Sequence, residues 1–269
     1  MEACKNGVSN SIEYRLTEDA CFFKTICVKS FQNKIDLHGS FPLSLGISSL
    51  AAQNKMAASK RIKITHIATD FSIEKLNSDV WDKAVEVGVD KYWSGVVAPE
   101  GRHFKAQLLW SDAAIYVRFE ANQNEPLVVN GKPDLTSKAN GLWDRDVCEI
   151  FIAPDKAVRD RYFEFEIAPT GEWIDLGIKV TPKKRISDFD YSSKMESAVF
   201  VEKEKVVMAI KIPFRSLGHV PKRGEIWLGN LFRCVGKDPT RGYLSWQPTK
   251  TKRPAFHVPS KFGEFEFTK

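Results

Sequence analysis

An all-β fold, an antiparallel sandwich of the jelly-roll or immunoglobulin-like kind with one or two short helical turns, is what this sequence predicts. Three observations carry the prediction. Apolar and polar residues alternate in runs of about five to eight. Turn residues separate those runs. No long stretch repeats apolar residues at helical spacing.

Residues 1–60 stand apart as an N-terminal extension without sustained periodicity. They hold Cys4, Cys21 and Cys27 of the five cysteines. Within them, residues 41–53 read as a short apolar stretch followed by small residues, the pattern of a secretory signal, though farther along the chain than such signals usually lie. The expectation is an extracellular or periplasmic protein, with a disordered extension as the alternative.

Residues 61–269 form the predicted sandwich domain. Residues 79–84 suit a helical turn capped by Ser78 or Asp79. Phe104, Ala106, Leu108 and Trp110 alternate with Lys105, Gln107 and Leu109. After the turn Ser111-Asp112-Ala113, Ile115, Val117 and Phe119 alternate with Tyr116, Arg118 and Glu120, which makes a hairpin. Further strands are predicted at 147–153, 161–168, 172–178, 197–202, 205–212 and 225–235. In the 205–212 run, Val206, Met208, Ile210 and Ile212 share a face opposite Lys205 and Lys211. Pro213 suits the first position of a helical turn over 213–217. Residues 262–267 alternate again as a last strand.

The chain of 269 residues is long enough for one sandwich of about 200 residues. Its seven Trp and eighteen Phe fill a β-rich core and leave rings for a binding surface. The net charge of +6 is spread out. Its densest clusters, residues 183–185 and 250–253, read as solvated loops, and no nucleic-acid motif accompanies them. No apolar run reaches the roughly 18 residues of a membrane span. The cysteines lack zinc spacing. Cys148 and Cys234 fall in apolar strand patterns and read as buried thiols, with a bridge between them left open.

One stretch concentrates the candidate chemistry: Gly141-Leu142-Trp143-Asp144-Arg145-Asp146-Val147-Cys148-Glu149. The turn pair Asn140-Gly141 puts Trp143 on a loop at a strand mouth. Its ring is either a packed rim residue or a ligand platform, and its polar neighbours favour the platform. Asp144 and Asp146 suit turn caps or calcium, although two aspartates fall short of the six to eight oxygens that ion takes. Glu149 shares a face with Val147 and Phe151, so its carboxylate needs a partner. Arg118 and Arg233 are the candidates for an ion pair; sugar hydroxyls are the alternative. Glu164 and Glu166 share a face that reads as solvated. As a pair they also invite a glycosidase reading, but they do not flank a substrate. His66, His103, His219 and His257 are scattered. No nucleophile, base and orienting group fall together, so no catalytic residue is expected, and binding without chemistry is favoured.

Three stretches in this order resemble the family 9 carbohydrate-binding modules, over residues 67–269: residues 106–117, residues 143–152, and Leu244-Ser245-Trp246 followed by Pro259-Ser260-Lys261-Phe262-Gly263. The resemblance implies a β-sandwich in which two aromatic rings hold a reducing-end sugar, helped by a Glu and an Arg. The first ring and the Glu carry over to Trp143 and Glu149. Phe256, followed by His257, stands where the family has a second Trp and offers a smaller face. Glu164 stands where the family has its Arg, replacing a five-donor cation with an acceptor; Arg233 or Arg161 would have to substitute. The resemblance further implies an oligo- or polysaccharide ligand, a role in polysaccharide breakdown and a structural calcium ion with unknown ligands; a monomer that requires no other cofactor is expected. The rival readings are a glycoside hydrolase component and a haem-binding electron-transfer sandwich using Met195, Met208 or His257.

Overall fold

The computed structural model of the protein describes residues 60–269. The expected N-terminal extension, with its signal-like stretch and three cysteines, lies outside the described residues. The chain then forms thirteen strands: β1 Arg61–His66, β2 Glu86–Val89, β3 Phe104–Trp110, β4 Ala114–Asn122, β5 Val147–Ala153, β6 Arg161–Ile167, β7 Trp173–Val180, β8 Arg185–Asp188, β9 Glu196–Val201, β10 Lys205–Pro213, β11 Ile226–Val235, β12 Gly242–Ser245 and β13 Gly263–Phe267.

Two sheets face each other. One runs β8-β7-β6-β5-β11-β13, with β12 added to the far end of β11; the other runs β3-β4-β10-β9, with β2 on β3. Strand β1 joins them. Its first residues pair with β13 and its last two with β3, both in parallel. That is the departure from a purely antiparallel sandwich. All other strand pairs are antiparallel.

Alternation explains the core. Val206, Met208, Ile210 and Ile212 of β10 turn inward to meet Cys148, Ile150 and Ile152 of β5. Each large apolar side chain fully buried there contributes about 1.5–3 kcal/mol. The opposite faces are also covered. Val207 and Ala209 pack with Tyr116, Leu109 and Trp81 beneath the segment that precedes β2. On the other sheet, Val147, Phe151, Tyr162, Phe232 and Cys234 form a further apolar cluster on the outer face. Cys148 and Cys234 thus lie on opposite faces of one sheet as free, buried thiols, and no bridge joins them.

The short helical elements lie close to where the sequence puts them. A 3-10 turn spans Asp79–Lys83 with Ser78 as its cap. Helix α1 spans Phe214–Leu217, but Pro213 precedes it in extended backbone as the last residue of β10 instead of opening it. At the edge of the core, Gly263 lies against the Trp246 ring. A Cβ there would also approach the Lys60 carbonyl oxygen at 2.8 Å. No helix among the described residues is long and apolar enough to cross a membrane.

Candidate functional site

The outer face of the first sheet carries a cleft of about 420 Å³. Strand register lays its floor. Glu149 on β5 stands opposite Glu166 on β6, and Phe151 stands opposite Glu164. On the other side of β5, Phe232 is level with Glu149 and Cys234 with Val147. All these side chains point outward by period-two alternation.

Trp143 forms one rim. Gly141 adopts φ +78°, a left-handed conformation that suits glycine. It starts the 3-10 turn Leu142–Asp144, which buries Leu142 and leaves Trp143 half-exposed. Two anchors fix this turn. The Arg241 guanidinium donates to the carbonyls of Trp143 (2.8 Å), Arg145 (2.6 Å) and Gly236 (2.7 Å). Asp146 accepts from the backbone N–H of Gly236 (2.7 Å) and Val128 (3.1 Å) and from Gln123 Nε2 (3.3 Å). Those donors take up the Asp146 oxygens, so the residue fits the turn-capping role and does not fit a calcium site.

Phe256 and His257 form the opposite side. Phe256 stacks on Phe232, with ring centroids 4.1 Å apart and planes 13° apart. It is only 9% exposed. One ring face is spent on Phe232, and the cleft receives a narrow strip of the rest. His257 Nδ1 hydrogen-bonds to Tyr162 Oη at 2.8 Å. Its Nε2 lies 3.9 Å from Glu164 Oε2, beyond a hydrogen bond. Burial, reinforced by Arg185, pushes the imidazole pKa down to about 3. It is therefore neutral at neutral pH, and its contact with Glu164 is not an ion pair.

The carboxyls of the floor contradict the expectation of a solvated face. Glu164 and Glu166 are 3% and 0% exposed, and Glu149 is 2% exposed. Alternation separates the two sides of a strand but does not tell whether a side is covered. Here the Trp143 turn and the Phe256 segment roof it over. Burial raises the Glu164 pKa to about 7, with Arg185 opposing. Burial raises Glu149 and Glu166 well above the ordinary carboxylate range, and repulsion among the carboxyls adds to it. Glu149 has Cys234 Sγ at 3.5 Å. Glu149 and Glu166 thus favour the protonated form and Glu164 changes charge near neutral pH, so the floor can donate as well as accept hydrogen bonds.

Neither arginine proposed as a partner for Glu149 reaches it. Arg118 sits in the other sheet, bonded to Glu120, Gln107 and the Leu76 carbonyl. Arg233 faces the opposite side of β11 from Cys234. There it is buried and donates to the carbonyls of Arg102 (2.8 Å) and Asn122 (2.7 Å) and to Gln123 Oε1 (2.6 Å). Arg233 therefore stays out of the cleft and ties together backbone elsewhere; Arg161 is exposed at the start of β6. The cation that does line the cleft is Arg185, from a cluster that reads as a solvated loop. Tyr243 and the exposed Phe189 add two more rings to its wall. Both lie in short segments with weak alternation, which is why the sequence does not single them out. The haem ligand set is not assembled either. Met208 lies between the sheets with Met195 packed against the same inner core, whereas His257 lies on the outer face.

Comparison with known proteins gives a consistent picture. The model of the family described as carbohydrate family 9 binding domain-like matches residues 75–269. Among solved structures, a candidate carbohydrate-binding protein from Bacteroides uniformis shares the fold at 17% identity and a TM-score of 0.63, covering 77% of this chain and 99% of that one. A family 9 carbohydrate-binding module from Caldicellulosiruptor kristjanssonii does so in two complexes. With cellotriose the identity is 16% and the TM-score 0.55, over 77% of this chain and 93% of that one. With glucose the values are 15% and 0.56, over 77% and 95%. Among curated proteins none matches.

Proposed function

Because the chain belongs to the carbohydrate family 9 binding domain-like family, we propose that it binds the end of an oligo- or polysaccharide in this cleft, without chemistry on the sugar. The observation that carries the reading is the meeting of Trp143, Phe256, Tyr243 and the acids Glu149 and Glu164 around one cleft. A half-exposed indole covers the apolar face of a pyranose. Neutral carboxyls exchange hydrogen bonds with hydroxyls in both directions, and Arg185 donates from the rim. Trp143 is the main platform in this reading, since Phe256 offers little free surface. The test is calorimetry with cello- and xylo-oligosaccharides and glucose. Heat with the parent and none with Trp143→Ala supports the reading; no heat with any saccharide, or equal heat from the variant, ends it.

A second reading has one observation in its favour. Glu149 and Glu164 both line the cleft, with carboxyl oxygens within 4.8 Å of one another, near the roughly 5 Å separation of retaining glycosidases. They lie side by side on one floor and do not flank a bond, so binding remains the better reading. Release of reducing sugar that disappears in Glu164→Gln would reverse the preference. A role in polysaccharide breakdown outside the cytoplasm follows from the ligand class and from the signal-like stretch 41–53. N-terminal sequencing of the mature protein from culture medium or periplasm tests that export.

A further inference from the structure

The floor of the cleft poses a question that sugar binding does not answer. One ligand oxygen from each of Glu149, Glu164 and Glu166 falls within 4.8 Å of the other two. Three carboxyls gathered this closely repel one another once ionised. Hydroxyls of a ligand in the cleft would meet Glu149 and Glu164, which line it, whereas Glu166 lies beneath.

Both oxygens of Glu166, and Oε2 of Glu164, are fully buried without any donor from the described residues. Buried acceptors are ordinarily satisfied, and an orphan costs about 1–3 kcal/mol. The Glu166 carboxyl has its two carboxyl neighbours beside it, and its one side-chain hydrogen-bond contact is with Glu164. The nearby cations do not meet this need. Arg241 is occupied by three backbone carbonyls, and Arg185 stands at the rim, among the exposed residues.

From this geometry we propose that Glu149, Glu164 and Glu166 hold a divalent metal ion at the floor of the cleft, each through one carboxylate oxygen. Oxygen ligands about 2.0–2.2 Å from a small divalent ion lie about 3–4.5 Å from one another; the trio's oxygens, all within 4.8 Å of one another, lie at or near that spacing. His257 Nε2, close to Glu164 Oε2, is within reach of a small shift. Carboxylates with an imidazole suit Mn²⁺ or Zn²⁺. The side of the ion facing the cleft stays open to water or to two neighbouring hydroxyls. Entry is through the cleft itself. Metal binding expels the carboxyl protons to solvent, so proton and metal compete for the same oxygens. The metal site stands without the saccharide reading; only the contact with hydroxyls rests on it.

The experiment uses the full chain, stripped with chelator and dialysed, and titrated with MnCl₂ by electron paramagnetic resonance and with ZnCl₂ by calorimetry, without sugar. One site per chain is expected, weakened about tenfold or more in Glu166→Gln. That variant keeps the side-chain shape and removes repulsion, so it should fold. Glu164→Gln is the second variant, and circular dichroism verifies both. Failure of Mn²⁺ and Zn²⁺ to bind below about millimolar, or equal binding by both variants, overturns the proposal. A separate cello-oligosaccharide titration with and without Mn²⁺ keeps the two readings apart. Sugar binding without any metal binding leaves the saccharide reading intact and removes this one. Metal binding without sugar binding does the reverse.

Discussion

Glu149 and Glu166 face each other across β5 and β6, both fully buried, on the same side of the sheet. Like charges placed directly opposite on neighbouring strands are destabilising, and burial adds to the cost. The pair tolerates its position by staying protonated. An apolar side chain such as Leu would fill much of the same volume without burying a carboxyl. The pair's place under a cleft makes it a feature of the site.

The first prediction concerns this pair in metal-free protein. Glu166→Gln removes a carboxyl and keeps its volume. At pH 8, above the value of about 7 for Glu164, that group ionises against its carboxyl neighbours, and melting of the variant should rise by the equivalent of about 1–3 kcal/mol. At pH 5, where the carboxyls are protonated anyway, parent and variant should differ little. Thermal denaturation in chelator at the two pH values measures both, and a variant less stable than the parent at pH 8 contradicts the argument.

The pH dependence of the parent follows from the same groups. In the folded state Glu164 titrates at about 7, and burial also raises Glu149 and Glu166 well above the ordinary carboxylate range. In the unfolded chain all three titrate near the ordinary value of about 4.3. Between those values the folded state binds more protons, so stability falls as pH rises. The carboxyl contribution is fully present below about pH 4 and is lost as pH climbs through 7 and beyond. A melting temperature that drops from pH 5.5 to pH 8.5 in chelator, with a shallower drop in Glu164→Gln, is the expected result.

The sandwich was legible because β3, β4, β5, β6, β10 and β11 carry clear alternation, and the sequence places them within a residue or two. Strand β8, Arg185–Asp188, was not legible: four mostly exposed residues beside a basic loop show no apolar face. The same weakness hid Arg185 and Phe189 as cleft residues. Trp143, Glu149, Phe256 and His257 were named from the sequence, and the fold brings them to one cleft. Arg233 was misplaced because an arginine inside a strand pattern invites pairing with the nearest carboxylate. Alternation puts it on the Cys148 side of the sheet, away from Glu149. Burial of Glu164 and Glu166 depends on a roof formed by residues about 20 and 90 positions away, which no local pattern reports.

His257 shapes the acid side of the stability profile. Its pKa is about 3 in the folded state, against about 6.5 in the unfolded chain. Between those values the unfolded chain binds a proton that the folded protein does not. Stability from this group is therefore complete above about pH 6.5 and is lost as pH falls toward 3. The facing groups, Glu164, Tyr162 and Arg185, do not reverse the sign, because the two acids are protonated in that range and Arg185 is itself a cation. His257→Gln should flatten the fall in melting temperature between pH 6 and pH 4. An unchanged acid limb would contradict the neutral imidazole.

Gly263 tests the packing at the edge of the inner core. A methyl group there would run into the Trp246 ring and toward the Lys60 carbonyl. The ring is held by stacking on Phe265 at 5.8 Å, and the carbonyl belongs to backbone paired with Glu264, so neither yields easily. Gly263→Ala should cost about 1–3 kcal/mol, read by urea denaturation, and leave saccharide affinity unchanged in the folded fraction.

Arg241 gives the sharpest separation of binding from stability. It hydrogen-bonds to no floor carboxyl, yet its guanidinium holds the carbonyls of Trp143 and Arg145, within and just after the turn, and lies 5.5 Å from the Tyr243 ring centre. Arg241→Gln leaves the strands and their cores in place and releases the turn that presents the indole. Hydrogen bonds from a charged donor are worth about 1.5–3 kcal/mol each, and partial replacement by water keeps the loss near the lower figure. Saccharide affinity should therefore fall by about tenfold, with a modest loss in melting temperature. Tryptophan fluorescence anisotropy should fall as well, because the Trp143 ring gains freedom. If affinity and anisotropy both match the parent, the turn is rigid without Arg241 and the indole owes its position to packing on the outer apolar cluster alone.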